Sequence, residues 1–195
     1  MANLCDTTYK IKSSREQINS IWERMKELEV NSSFTPLISV AEKFKVNRKG
    51  MSLRGSITCV EEPEYIGEDA ILTVITETAW TGCHELFNAI NETMNQELSI
   101  SYCEIEPGCK VYNIHDEENF FPDTHIVDCC GDTFDGCYEE TYESVEDAVA
   151  DWCKCMKIAP DTLNDKTTEE KVSYINNYEY DNDDTYFKIH CFYRV

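Results

Sequence analysis

Four side chains able to ligate a soft metal ion, His125, Cys129, Cys130 and Cys137, fall within thirteen residues. Zinc takes four thiolate or imidazole ligands in a tetrahedron, so these residue types are the first that suggest chemistry. The spacing argues the other way. Adjacent Cys129 and Cys130 on a strand point to opposite faces, no C-x-x-C knuckle is present, and Cys153 and Cys155 have one residue between them. The default reading is a set of thiols that pack as small hydrophobes, with no cofactor required. Metal binding through His125 and Cys137 is the alternative.

Other constellations are weaker. Asp132-Thr133-Phe134-Asp135-Gly136 and Asp181-Asn182-Asp183-Asp184 are oxygen-rich, but neither has the ligand spacing that wraps an EF-hand loop around calcium. They read as solvated turns. Cys83-His84 and His190-Cys191 pair a nucleophile with a base only in sequence, and neighbours on a strand diverge. Carboxylate pairs are uninformative where acids are this abundant. Nothing in the sequence calls for an enzyme.

The distribution of charge is the informative feature. Seventeen Lys and Arg stand against 38 Asp and Glu, a net charge of −21. Residues 1–60 carry ten basic and six acidic side chains, whereas 61–195 carry seven and thirty-two. From Val111 through Cys153 there are thirteen acids and no Lys or Arg. Such a field repels nucleic acid and anionic membrane and attracts basic protein surfaces. The residues expected to meet a partner are Asp116, Glu117, Glu118, Asp132, Asp135, Glu139, Glu140 and Glu143, with Phe120, Phe121 and Tyr138 as aromatic anchors. Asp123 and Asp128 belong to the same tract. The basic cluster Lys43, Lys45, Arg48, Lys49 and Arg54 offers a secondary contact, and helix-end cations explain part of it.

These side chains need a folded frame. Hydrophobic residues make up 42% of the chain, enough to bury a core in one domain of this length. No apolar run of membrane-spanning length and no secretory start is visible, so the expectation is a soluble cytoplasmic protein whose eleven cysteines are mostly reduced. Alternation over Thr7–Lys12 predicts a strand. Ser14 with Gln17 predicts a capped helix carrying Ile18, Ile21, Trp22, Met25 and Leu28. Thr35-Pro36 predicts the start of a second, shorter helix. Strands are expected over 53–60 and 70–78, a helix over 82–94, and a strand over 98–105. Residues 111–114 and 124–128 are read as continuing that sheet. Ser144 with Asp147 predicts a helix carrying Val145, Ala148, Val149, Trp152 and Met156. A short helix near 169–176, an exposed Tyr178-Glu179-Tyr180 segment and a last strand docked in the sheet over 186–195 follow.

Strand, helix, helix, strand, strand, helix, strand is close to a split β-α-β unit with an added helix. The fold class is therefore α+β, an antiparallel sheet with helices on one face. A ferredoxin-like part over 1–110 and an acidic strand and helix extension over 111–195 are expected to form one compact unit. The predicted core includes Ile18, Trp22, Met25, Leu72, Val74, Phe87, Ile90, Ile100, Val149 and Trp152.

Met1-Ala2-Asn3 with Cys5 and a strand, then Thr78-Ala79-Trp80 and Tyr102-x-Glu104-x-x-x-Gly108, resembles the YubB-like proteins of plasmids and phages. The resemblance covers short stretches of residues 1–110. It implies a ferredoxin-like domain in a mobile-element accessory protein and brings no catalytic residue with it. Together these readings predict a non-enzymatic acidic binding protein from a phage or mobile element. It would dock on a basic surface, such as the groove of a nucleic-acid-binding effector, and block it, as an inhibitor of a CRISPR effector would. It would contact neither nucleic acid nor membrane directly. A generic soluble accessory protein without a specific partner is the alternative.

Overall fold

In the computed structural model, which describes residues 3–29, 34–94, 97–122 and 124–195, the chain opens with β1 (Leu4–Ser14). Its odd-numbered residues from Cys5 to Ser13 are buried, as period-two alternation requires. Asp123 of the acidic tract lies outside the described residues. Ser14 accepts a hydrogen bond from the Gln17 amide and starts α1 (Arg15–Glu29). β2 (Thr35–Pro36) leads into α2 (Leu37–Lys43), where Pro36 takes the cap position without a side-chain cap and Thr35 is buried in the strand. β3 (Gly55–Val60), β4 (Glu64–Ile66), β5 (Asp69–Ala79), α3 (His84–Met94), β6 (Ser99–Glu106) and β7 (Val111–His115) follow. The remainder comprises β8 (His125–Cys130), β9 (Tyr138–Tyr142), α4 (Val145–Met156), α5 (Thr168–Asn176), β10 (Tyr186–Cys191) and β11 (Tyr193–Arg194).

The chain divides into two compact units. The first, residues 1–121 with 194–195, holds a sheet of order β11-β7-β6-β1-β5-β3-β2, with β4 paired to β5. β1 is antiparallel to both β5 and β6. Tyr9, Ile11, Leu72 and Val74 face Ile18, Ile21 and Met25 of α1, Leu37 and Val40 of α2, and Leu86, Phe87 and Ile90 of α3. Trp22 and Ile100, predicted as core, pack at its margin and are only partly buried.

The second unit, residues 122–193, is a three-stranded sheet of order β10-β8-β9 under α4 and α5. Val127 and Cys129 sit opposite Ile189 and Phe187. With Phe134, Val149, Trp152 and Ile175 they form a separate core. Ser144 caps α4 by accepting from the Asp147 amide, and Thr167 with Glu170 closes a capping box on α5.

Two expectations are corrected here. β8 does not continue the first sheet; it is the centre of the second, with β10 on one edge. The chain also divides after Phe121, because β7 is registered against β6. The physical cause lies in the connection. Asp116 accepts from the backbone N–H groups of Phe120 (3.0 Å) and Phe121 (2.7 Å), turning the chain out of the ladder. Pro122 then has no N–H to continue it.

Two separate cores predict two separate sensitivities. Leu72→Ala should cost about 2–5 kcal/mol and Phe187→Ala about 3–5 kcal/mol in urea unfolding, the usual range for buried side chains truncated to methyl. A loss below about 1 kcal/mol for either would contradict its place in the core.

Candidate functional site

The structure divides the predicted docking residues between the two units. In the first, Glu118 is paired with Lys12 at 2.6 Å. Asp116 is consumed in turning the chain; burial would raise its pKa, but the hydrogen bonds it accepts hold it below the ordinary value. Phe120 is half-buried with the Lys10 ammonium 5.9 Å from its ring centroid, Phe121 is half-buried, and Glu117 is exposed. Of this group only Glu117 combines exposure with an unengaged carboxylate among the hydrogen bonds described.

In the second unit the predicted residues converge. Asp132, Asp135, Tyr138 and Glu140 line a concavity of about 720 Å³, joined by Asp151, with Lys154 and Lys157 on its wall. Local structure explains the convergence. Gly131 and Gly136 exchange backbone hydrogen bonds across the 131–136 loop, and a Cys130–Cys137 disulfide closes it. Asp132 and Asp135 are thereby set at the mouth of the β8–β9 hairpin. Alternation on β9 puts Tyr138, Glu140 and Tyr142 on the face that meets α4. The Tyr142 hydroxyl lies 2.9 Å from Asp151 and 3.3 Å from Glu140, donating between the two carboxylates. Burial pushes the Tyr142 and Tyr138 hydroxyls up, and Asp151 adds to the effect on Tyr142. Both remain donors at neutral pH. Glu139 lies on the other face of β9, opposite Asp128, and Glu143 is exposed beyond the strand end. Phe134 of the same loop is buried in the core.

The metal alternative is dismantled by the same hairpin. His125 stands opposite Tyr142 and Cys129 opposite Tyr138. His125 and Cys137 are therefore about 16 Å apart along the strands at ~3.3 Å per residue. Cys130 and Cys137 are bonded to each other, and no metal-holding group of His, Cys, Asp and Glu occurs among the described residues. Of the free thiols, Cys5, Cys83, Cys129 and Cys153 are buried, whereas Cys59, Cys109 and Cys191 are exposed.

One polar centre was not foreseen. Glu104, only 4% exposed, lies on the inward row of β6, opposite Thr7. It accepts from the Gly82 amide (2.9 Å), the Thr81 hydroxyl (3.2 Å), the Asn113 amide (2.7 Å) and His84 Nε2 (3.1 Å). Burial alone would raise its pKa; the bonds from His84, Asn113 and Gly82 overcome that and hold it at about 2. A carboxylate only accepts, so His84 carries a proton on Nε2, and its Nδ1 lies 3.0 Å from the Tyr9 hydroxyl. The ring also stacks on Tyr102, with centroids 3.7 Å apart, and Tyr102 stacks on His115. Gly82 is required at its place, because a Cβ there would stand 2.6 Å from the His84 ring.

Acid, imidazole and hydroxyl are thus in the order of a hydrolase triad, but Tyr9 is fully buried, so its hydroxyl is not presented to solvent. Burial pushes the Cys83 and Cys5 thiols up to about 11, so neither is a thiolate at neutral pH. The Cys83 thiol meets the Tyr9 hydroxyl at 3.8 Å. The cluster anchors the 80–83 loop beside a cavity of about 340 Å³ lined by Arg54, Thr81 and His84. The basic cluster near that cavity is largely engaged: Lys43 with Glu27, Arg48 with Glu42, and Arg54 over the Trp80 ring.

Comparison with protein-family models, with curated proteins and with solved structures finds no match. Among the described residues no helix is long and apolar enough to cross a membrane.

The Glu104 cluster sets a pH dependence. Its folded pKa of about 2 lies below the ordinary carboxylate value of 4.5, so its contribution is complete above about pH 5 and is lost as pH falls toward 2. Glu104→Gln should cost about 3 kcal/mol in urea unfolding at pH 7. The gap to wild type should narrow to about 1 kcal/mol at pH 2.5 and close only as pH falls through the folded pKa. A gap that is the same at both pH values would contradict the ionised, buried carboxylate.

Proposed function

We propose that this is a non-enzymatic, cytoplasmic binding protein that docks an acidic surface on a basic protein groove and blocks it. The observation that carries the reading is the concavity of the second unit, where Asp132, Asp135, Glu140 and Asp151 surround Tyr138. Residues 122–193 hold eighteen acids against five lysines. Clustering like charge on so small a unit is unfavourable by itself and becomes favourable against a cationic partner. The half-buried Tyr138 adds an aromatic ring whose face attracts guanidinium groups. A groove rich in Arg and Lys is what a nucleic-acid-binding effector presents, and an acidic protein competes for its cations.

A phage or mobile-element setting, with an anti-defence role, rests on the resemblance of Thr78-Ala79-Trp80 and the Tyr102–Gly108 segment to the YubB-like proteins. Thr78, Glu104 and Gly82 meet in the first unit around one loop: Thr78 donates to the Thr81 carbonyl, and Glu104 holds Gly82. The strand order β6-β1-β5-β3 supports reading that unit as ferredoxin-like.

A labelled oligonucleotide held by a poly-arginine peptide reports the competition directly. The protein should release it, and the release should weaken as salt rises and screens exposed charge over about 8 Å or less. Asp132→Lys/Asp135→Lys/Glu140→Lys should reduce release about tenfold or more, as loss of several charge contacts would. The charge-matched Glu61→Lys/Glu62→Lys/Glu64→Lys, at exposed positions leading into β4 of the first unit, should change it little. Equal effects from both triple variants would mean that net charge alone acts, and the docking surface would be rejected.

A further inference from the structure

The second unit carries another concavity, of about 700 Å³, lined by Lys166, Glu170, Ser173, Tyr174, Tyr178 and Glu179, with Asn177. Its origin is legible in α5. Residues 170, 173, 174 and 177 follow one helix face at spacings of three and four. The opposite face buries Ile175 in the core. Tyr174 is therefore an aromatic side chain on the outward face, 43% exposed. Tyr178, expected to be exposed, is instead half-buried and packed beside the core.

The aromatic walls are fixed from behind. Trp152, fully buried, meets Tyr174 edge-on at 6.0 Å and Tyr178 at 5.3 Å, and its indole N–H donates to the Tyr180 hydroxyl at 2.8 Å. Tyr174 and Tyr178 stand 67° to each other, forming an aromatic corner. The Lys166 ammonium already lies 5.8 Å from the Tyr174 ring centroid. A cation thus occupies this ring within the protein itself, and a lysine there is a point charge on a flexible stem.

Acceptors surround the corner. Asn177 donates its amide nitrogen to the Ser173 carbonyl, which leaves its side-chain oxygen to accept. Glu170 uses one carboxylate oxygen on the Thr167 amide, leaving the other, and Glu179 is exposed. A flat aromatic face with several acceptors at its rim suits a planar group with five donors in a fixed fork. Arginine has that shape and lysine does not.

We infer that Tyr174 and Tyr178, with Glu170, Asn177 and Glu179, form a pocket for one arginine side chain of a basic protein partner, guarded by Lys166. This rests on the docking reading and names the side chain that the acidic unit selects. Lys166 acts as an internal competitor: it holds the ring when no partner is bound and is displaced by the incoming guanidinium.

The probe is acetyl-Gly-Arg-Gly-amide, titrated into the full-length protein and followed by the NMR shift of the Trp152 indole N–H, assigned with Trp152→Phe. Saturable binding should occur with the arginine peptide and not with its citrulline counterpart, which has nearly the same shape without charge. Tyr174→Ala should weaken binding about tenfold, while Tyr174→Phe, which keeps the ring, should stay within about twofold. Lys166→Gln should tighten binding, and the charge-matched Lys110→Gln, at an exposed position of the first unit, should not. A merely structural Tyr174 would not give the gain on removing Lys166. Equal binding of the citrulline peptide, no binding of the arginine peptide, or an unchanged constant for Tyr174→Ala overturns the inference. If these fail while the Asp132/Asp135/Glu140 reversals still abolish oligonucleotide release, the pocket alone is wrong. If the tripeptide behaves as stated and no release occurs, the pocket stands and the groove-blocking reading falls.

Discussion

Repulsion among the carboxylates of residues 122–193 is the constraint around which the second unit is organised. Five lysines cannot neutralise eighteen acids, and on a unit of this size many of those charges lie within a screening length of one another. Tyrosine hydroxyls take over part of the role of the missing cations. Tyr142 donates to Asp151 and Tyr186 to Asp128, each at about 3 Å. Such bonds localise a carboxylate without cancelling its charge, so the surface stays negative while its geometry is held. The compensating free energy comes from a dense aromatic interior: Phe134 packs on Phe187 and Tyr180, and Trp152 on Tyr174 and Tyr178.

The first unit treats charge differently. Glu118, Glu27 and Glu42 each meet a lysine or arginine. Of its two buried acids among the described residues, Glu104 accepts four hydrogen bonds and is kept ionised, and Glu106 accepts from the Gly108 and Cys109 amides. Carboxylates there serve the fold, closing a loop onto a sheet or tying a helix to its neighbour. Among the described acids of the second unit, all but the half-buried Asp128 and Asp151 are exposed to solvent. This contrast within one chain separates acidity that builds structure from acidity available to a partner.

Much of the frame was legible in the sequence because it depends on local rules. Ser14 and Ser144 start helices where their hydroxyls meet orphan amides, and the alternation in β1 survives intact. What escaped depends on partners far along the chain. His84 and Glu104 are twenty residues apart, and reading His84 beside Cys83 hid the pairing; the usable signal was an acid on the inward row of β6, beyond Ile100 and Tyr102. Membership of β8 in a second sheet turns on its match to Phe187 and Ile189, about sixty residues later. The acidic tract was read as one docking surface, whereas Asp116 is a chain-turning residue and Glu118 is paired with Lys12. Spacing put Tyr174 on the outward face of α5, but the concavity beside it exists only because Trp152 arrives from α4.

Hydrogen–deuterium exchange with and without a saturating arginine-rich peptide measures where a cationic partner sits. The account predicts protection concentrated in residues 131–143 and 170–179, with the acidic segment at 61–69 unchanged. Protection spread evenly over both units, or strongest at 61–69, would show that the peptide follows net charge alone and would contradict a built docking surface.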